Sequence, residues 1–135
     1  MAKKTYVVVG TGGRATMYIE AILKTYPDSC RLAGFCDVNQ GRMDFYNEEL
    51  QSKYNVEPVA TYLADQFDRM IEEQKPDVVI VTSMDSTHDI YITRAMELGC
   101  DAITEKPMTV NAEKANLIFD TIEKTGRKLT VTFNY

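Results

Sequence analysis

The sequence predicts a single α/β domain with a doubly wound, parallel six-stranded sheet. Apolar runs typical of strands alternate with helix-like periodic segments along the chain, one such run is apolar without interruption, and no repeat or low-complexity linker divides the sequence. A length of 135 residues suits one domain, and 44% apolar residues are ample for its core.

In the first half of the chain, the sequence pattern predicts three strands and three helices. Pro27-Asp28 breaks the first helix, Asn39 caps the second, which runs to about Tyr54, and the third ends before Lys75-Pro76. Strands are predicted over residues 5–9, 31–37 and 59–61, and helices start near Ala15, Asn39 and Asp65.

The second half repeats the alternation. Residues 78–81 are all apolar, which is typical of a central parallel strand covered on both faces. Ser86 or Thr87 is expected to cap the next helix, and Asn111 the last one. In that last helix, Ala115, Ile118, Phe119 and Ile122 recur at helical spacing. Further strands are predicted over residues 102–104 and 129–133.

The composition and charge of the chain exclude several classes of function. A net charge of −5 without a basic block argues against nucleic acid or an anionic membrane as partner and favours a small polar ligand. No apolar run approaches a bilayer span and no signal-peptide core is present, so we expect a soluble cytoplasmic protein. Cys30, Cys36 and Cys100 predict buried free thiols, and a single His without a Cys/His cluster predicts no metal site.

A glycine-rich motif follows the first strand and opens a helix. Residues 10–15 fit G-x-G-x-x-G/A: Gly10 permits a tight turn, Gly12 lets the backbone approach a pyrophosphate, and the small Ala15 lets helix and strand pack closely. Gly13 and Arg14 complete the loop, and Arg14 either adds a charge near the phosphates or is solvated. A glycine turn that binds nothing remains the alternative.

An acid at the end of the second strand strengthens the dinucleotide interpretation. Asp37 lies 22 residues after Ala15, where a carboxylate would accept both hydroxyls of an adenosine ribose. The alternative is a helix-capping Asp. We expect NAD to be preferred over NADP, because a 2′-phosphate would face the Asp37 carboxylate. Arg42 could bind that phosphate, but a cap at Asn39 is expected to carry it away from the ribose.

Two further clusters follow the later strands. In residues 82–88, Ser83 and its neighbours could contact a nicotinamide ribose or merely cap a helix, and His88 is more typical of a packed or capping residue than of a catalyst. Glu105 and Lys106 point to opposite faces if the strand continues, so one of them can face the cleft. A lysine there could exchange a proton with a substrate hydroxyl, or be solvated.

Several of these motifs together resemble one family, the N-terminal domain of the Gfo/Idh/MocA oxidoreductases, from about residue 4 to 135. The more specific part is the Glu105-Lys106-Pro107 tripeptide together with the upstream turn that ends in His88. The other matching segments are residues 10–15, the strand ending Phe35-Cys36-Asp37, residues 75–81, the Asp85-to-His88 turn and Glu97-Leu98-Gly99-Cys100.

The resemblance implies a Rossmann domain of a nicotinamide-dependent enzyme that oxidises or reduces a hydroxyl of a sugar, inositol or related polyol. By it, Lys106 is the catalytic residue and Asp37 is the ribose-binding acid. Together with the motifs above, this predicts as cofactor-binding residues Gly10, Gly12, Gly13, Arg14, Ala15, Asp37, Ser83, Asp85, His88, Glu105 and Lys106. Members usually have Pro and Asn where this chain has Met84 and Asp85. Some relatives use tightly held NAD for glycoside cleavage.

The family's second domain, which carries a catalytic His, is not in this sequence, and His88 does not match that His. We therefore expect a domain of a longer, homo-oligomeric protein that binds a dinucleotide but is inactive alone. The rival interpretation is a non-catalytic dinucleotide-binding sensor or regulatory module. Lys106 distinguishes the two, since a sensor does not need a lysine at the nicotinamide end.

Overall fold

A computed structural model describes residues 3–106 and 108–132, so Pro107 and Phe133 lie outside it. The strands are β1 (Lys4–Val9), β2 (Cys30–Asp37), β3 (Ala60–Leu63), β4 (Val78–Val81), β5 (Asp101–Glu105) and β6 (Leu129–Thr132). All neighbouring strands are parallel, in the order β3-β2-β1-β4-β5-β6, which confirms the predicted doubly wound sheet.

In the part of the chain that the structure describes, five α-helices connect the strands. They are α1 (Ala15–Glu20), α2 (Gln40–Tyr54), α3 (Phe67–Gln74), α4 (His88–Glu97) and α5 (Ala112–Thr125). A π-helical turn, Ala21–Thr25, extends α1, and 3₁₀ turns at Ala64–Gln66 and Asp85–Thr87 precede α3 and α4. Among the described residues, no helix has both the length and the apolar character that a membrane span requires.

Both faces of the sheet are covered, as the uninterrupted apolar run of β4 predicts. Alternate residues of each strand enter opposite cores: Val7 and Val9 pack with α3, α4 and α5, whereas Val8 packs with α1 and α2. All four residues of β4 are buried. On α5, Ile118 is buried but Phe119 is 55% exposed, so the apolar face of this helix is narrower than its spacing suggests.

Two of the expected helix caps form. The side chains of Asn39 and Asn111 accept hydrogen bonds from the backbone N–H groups of Arg42 and Lys114. Thr87 precedes α4 but does not cap it, because its backbone is already helical at φ −106° and ψ −4°. Its hydroxyl instead donates to the Met84 carbonyl.

All three cysteines are free, and two of them are buried. Burial raises the pKa of the Cys36 thiol to about 12 and that of Cys100 to about 11. Since the thiolate is the nucleophile, N-ethylmaleimide at pH 8 is expected to modify Cys30, which is half-buried, before the other two. Peptide mass spectrometry of native and urea-unfolded protein measures the labelling of each cysteine. Equal labelling of Cys36 and Cys30 in the native protein would contradict the expectation.

Candidate functional site

A cleft of about 290 Å³ lies at the carboxyl ends of β1, β2 and β4. Its lining includes Gly10, Gly12, Asp37 and Ser83, so the glycine motif, the acid after β2 and the turn after β4 meet at one place. This is the point where the strand order reverses, between β1 and β4. Open α/β sheets bind their ligands there.

Gly10 joins β1 to the end of β4. Its φ is +88°, and an added Cβ would lie 2.4 Å from the Ser83 nitrogen and 2.6 Å from the Thr82 carbonyl carbon. The Thr82 hydroxyl donates to the Gly10 carbonyl at 2.6 Å, and the Gly10 N–H donates to the Cys36 carbonyl at 2.8 Å. Only glycine combines this conformation with this contact.

The loop after Gly10 leaves room for an anionic group. A Cβ added at Gly12 or Gly13 would meet no atom of the described residues within 4 Å. Within residues 3–106 and 108–132, the N–H groups of Gly12, Gly13 and Arg14 have no hydrogen-bond acceptor. Ala15, directly after them, is fully buried where α1 packs on the sheet. Unpaired N–H groups at a helix start fit a pyrophosphate.

Tyr46 of α2 fixes the shape of this loop. Its hydroxyl donates to the Gly12 carbonyl at 2.7 Å and accepts a hydrogen bond from the Thr16 hydroxyl at 2.8 Å. The carbonyl of Gly12 is thereby tied back toward α2 while the N–H groups stay free. Sequence reasoning missed this role, because Tyr46 belongs to the buried face of α2 and carries no motif of its own.

Asp37 is buried and already holds three hydrogen bonds. Oδ2 accepts from the Thr11 N–H at 2.6 Å and the Thr11 hydroxyl at 2.7 Å, and Oδ1 accepts from the Asn39 N–H at 2.9 Å. Burial acts to raise the pKa of Asp37, but these bonds and the Arg42 charge outweigh it and hold the pKa below its usual value. The carboxylate is therefore ionised at neutral pH.

These bonds limit what Asp37 can accept from a ligand. A carboxylate offers about four lone-pair positions. With two bonds on Oδ2 and one on Oδ1 from the residues that the structure describes, a single position on Oδ1 is open. Binding both hydroxyls of a ribose would require the Thr11 hydroxyl to turn away. Thr11, inside the glycine motif, is thus a second residue whose role the sequence pattern did not reveal.

Arg42 lies closer to the acid than expected. Its N–H binds Asn39 Oδ1 at 3.2 Å, so the predicted cap forms. Its side chain nevertheless lines the same cleft as Asp37, which differs from our expectation that the first turn of α2 carries it away. The physical reason is that helical side chains tilt toward the helix N-terminus, here toward the cleft.

The turn after β4 contains exposed and buried candidates. The hydroxyl of Ser83, which lines the cleft, hydrogen-bonds to that of Thr87 at 2.8 Å, and Asp85 is exposed. His88 is only 1% exposed, with Nε2 3.0 Å from the Ser83 carbonyl and Nδ1 3.3 Å from the Thr104 hydroxyl. His88 therefore supports the turn from within the fold, as a packed residue.

The end of β5 connects back to the glycine loop. Glu105 is buried, and its Oε2 lies 3.5 Å from Nε of Arg14. Lys106 is exposed, and its N–H donates to the Thr132 carbonyl of β6 at 3.3 Å. Of the two candidates on this segment, Glu105 thus faces α1 and Lys106 faces outward. The pairing of Arg14 with Glu105 was not apparent from the sequence.

Comparison with known proteins relates this geometry to a family. A model of the Gfo/Idh/MocA type, described as "Oxidoreductase family, NAD-binding Rossmann fold", matches residues 4–133. The protein YteT of Bacillus subtilis is 32% identical over 133 residues, which is 98% of this chain and 30% of YteT. Inositol 2-dehydrogenase of Agrobacterium fabrum is 28% identical over 122 residues, covering 90% of this chain and 34% of that enzyme.

A solved structure agrees with these matches. The aldose-aldose oxidoreductase from Caulobacter crescentus, complexed with glycerol, superposes with a TM-score of 0.79 at 27% identity, over 96% of this chain and 37% of that one. The chain thus spans about a third of the length of these relatives. It belongs to the Gfo/Idh/MocA oxidoreductase family and corresponds to the NAD-binding Rossmann domain of that family.

Proposed function

We propose that this chain is the cofactor-binding domain of an NAD-dependent oxidoreductase that acts on a hydroxyl of a sugar or polyol. One observation carries the proposal: Gly10 and Gly12 of the open glycine loop and the ionised Asp37 line one cleft at the point where the strand order reverses. The substrate class is supported by relatives such as inositol 2-dehydrogenase and aldose-aldose oxidoreductase.

The residues divide between the two halves of the ligand. Asp37 would accept a hydrogen bond from the adenosine ribose, and the N–H groups of Gly12, Gly13 and Arg14 would hold the pyrophosphate. Ser83 and Asp85 lie after β4 and would face the nicotinamide ribose. Hydride exchange with a substrate carbon is the chemistry that a bound nicotinamide supplies. Lys106, exposed at the end of β5, would hold or release a proton at Nζ.

The 135-residue chain is expected to bind NAD at least tenfold more tightly than NADP. A 2′-phosphate would bring two negative charges to the ionised Asp37, and one pair of like charges 4 Å apart already costs about 1 kcal/mol in bulk water. Arg42 reduces this penalty because it lines the same cleft. Titration calorimetry with both dinucleotides measures the two affinities, and equal or tighter binding of NADP would refute the preference.

Two variants locate the source of the preference. Asp37→Asn keeps the size of the side chain but removes its charge, so it should lose most of the discrimination. Arg42→Ala should weaken NADP further and leave NAD almost unchanged. Thermal melts establish that both variants fold. If the wild-type chain binds neither dinucleotide, the proposed function itself is wrong.

A further inference from the structure

An ion pair links the glycine loop to the end of β5. Arg14 lies directly before α1, and its Nε is 3.5 Å from Oε2 of Glu105, the last residue of β5. The Glu105 side chain is 12% exposed, whereas that of Arg14 is 60% exposed. Oε1 of Glu105 is inaccessible and has no hydrogen-bond partner within the described part of the chain. Within the described residues, Arg14 is therefore the ion-pair partner of this buried side chain.

The pair lies on one particular side of the cleft. Asp37, at the end of β2, marks the side of the adenosine ribose. In the sheet order, β4 and β5 lie on the opposite side of β1 from β2. A dinucleotide bound across the β1/β4 junction would therefore have its nicotinamide half on the β5 side, where Glu105 ends the strand.

The two redox forms of the dinucleotide differ in charge at that end. The oxidised nicotinamide ring is a cation and the reduced ring is neutral, while the pyrophosphate and both riboses are the same in each form. Charges near the ring therefore discriminate between the two forms, and charges near the adenosine do not. Glu105, at the carboxyl end of β5, and its partner Arg14 supply one charge of each sign on that side of the sheet.

We propose that the Arg14–Glu105 ion pair sets the relative affinity of this domain for the oxidised and the reduced dinucleotide, an inference that rests on the proposed function. As long as the two charges are paired, neither redox form gains a large advantage from them. Loss of the Arg14 guanidinium leaves the Glu105 carboxylate to attract the cationic ring. Loss of the carboxylate leaves the guanidinium to repel it.

The expected changes have opposite signs. Arg14→Met should raise the ratio of NAD⁺ affinity to NADH affinity by about fivefold or more, and Glu105→Gln should lower it by a similar factor, as estimated for unit charges a few ångströms apart in water. The double variant should return close to the wild-type ratio. Calorimetry supplies the NAD⁺ constants, and the fluorescence of bound NADH supplies the others.

A matched control removes an arginine elsewhere. Arg69 pairs with Glu73 on α3, with 3.0 Å between Nε and Oε2, so this pair lies on a flanking helix and not at the carboxyl end of a strand. Arg69→Met should therefore leave the ratio unchanged. Because the ratio compares two ligands on one variant, a general loss of affinity cancels. If Glu105→Gln does not fold, the affinity ratio of Arg14→Met alone tests the proposal.

The outcomes separate the two proposals. Tight binding of both forms with an unchanged ratio in Arg14→Met and Glu105→Gln would overturn the role of the ion pair and leave the proposed function intact. Shifts in the same direction in both variants would also overturn it. A wild-type chain that binds neither form would overturn the proposed function, and the inference with it.

Discussion

Replacing Gly10 with alanine is expected to destabilise the domain by about 3 kcal/mol or more, the sum of a left-handed backbone penalty and the displacement of packed atoms. The new Cβ would lie 2.4 Å from the Ser83 nitrogen, and because that atom is backbone, no side-chain rotation can relieve the clash. Thermal unfolding should show a melting temperature lower by about 10 °C or more.

Two other glycines separate the causes of that loss. Gly99 has a similar φ of +92°, but an added Cβ meets no atom within 4 Å, so Gly99→Ala measures the backbone penalty alone. Gly12→Ala has open space and should melt like the wild type. It should nevertheless lose roughly 10- to 100-fold in NAD affinity, because its methyl group would occupy the space of the pyrophosphate. Equal melting temperatures for Gly10→Ala and Gly99→Ala would contradict the proposed contact.

In a full-length protein that carries this domain with a substrate domain, Lys106→Met is expected to lower turnover about 100-fold or more, the usual contribution of a general acid or base. NAD affinity should change little by comparison, because an acid or base group exchanges its proton with the substrate and not with the dinucleotide. Steady-state kinetics with a panel of polyols and sugars measures the effect.

The matched control is Lys124→Met, which removes an exposed lysine from α5 and should leave turnover unchanged. A turnover of Lys106→Met equal to that of the wild type would assign Lys106 to the solvated surface. No turnover in the wild-type protein with any sugar or polyol, combined with tight NAD binding, would favour a dinucleotide sensor.

Local patterns were sufficient to predict most of the fold. The strand after Pro76-Asp77 could be assigned because its apolar residues are consecutive, and α2 because Asn39 can cap it. Phe119 fits the helical spacing of its neighbours but is exposed. Spacing alone cannot show how wide a strip of the helix the sheet covers.

The candidate site was only partly predictable, for a related reason. Gly10 and Asp37 belong to a motif with a fixed order along the chain, so both could be identified. The contacts of Tyr46 with Gly12 and of Arg14 with Glu105 join residues 34 and 91 positions apart. The packing of helices on the sheet brings such residues into contact, and a local sequence pattern cannot predict which residues these are.

Gly10, directly after β1, packs against Thr82 and Ser83, directly after β4. The cleft is therefore built from both halves of the doubly wound sheet. A ligand bound in the cleft would contact the end of β1 and the end of β4, so separating the two halves would require its release. Ligand binding then raises the free energy of global unfolding, by about 2.7 kcal/mol at a ligand concentration of 100 Kd. In hydrogen exchange, the amides of β1 and β4 should therefore slow together as the cleft fills, while those at the edge strand β3 respond less.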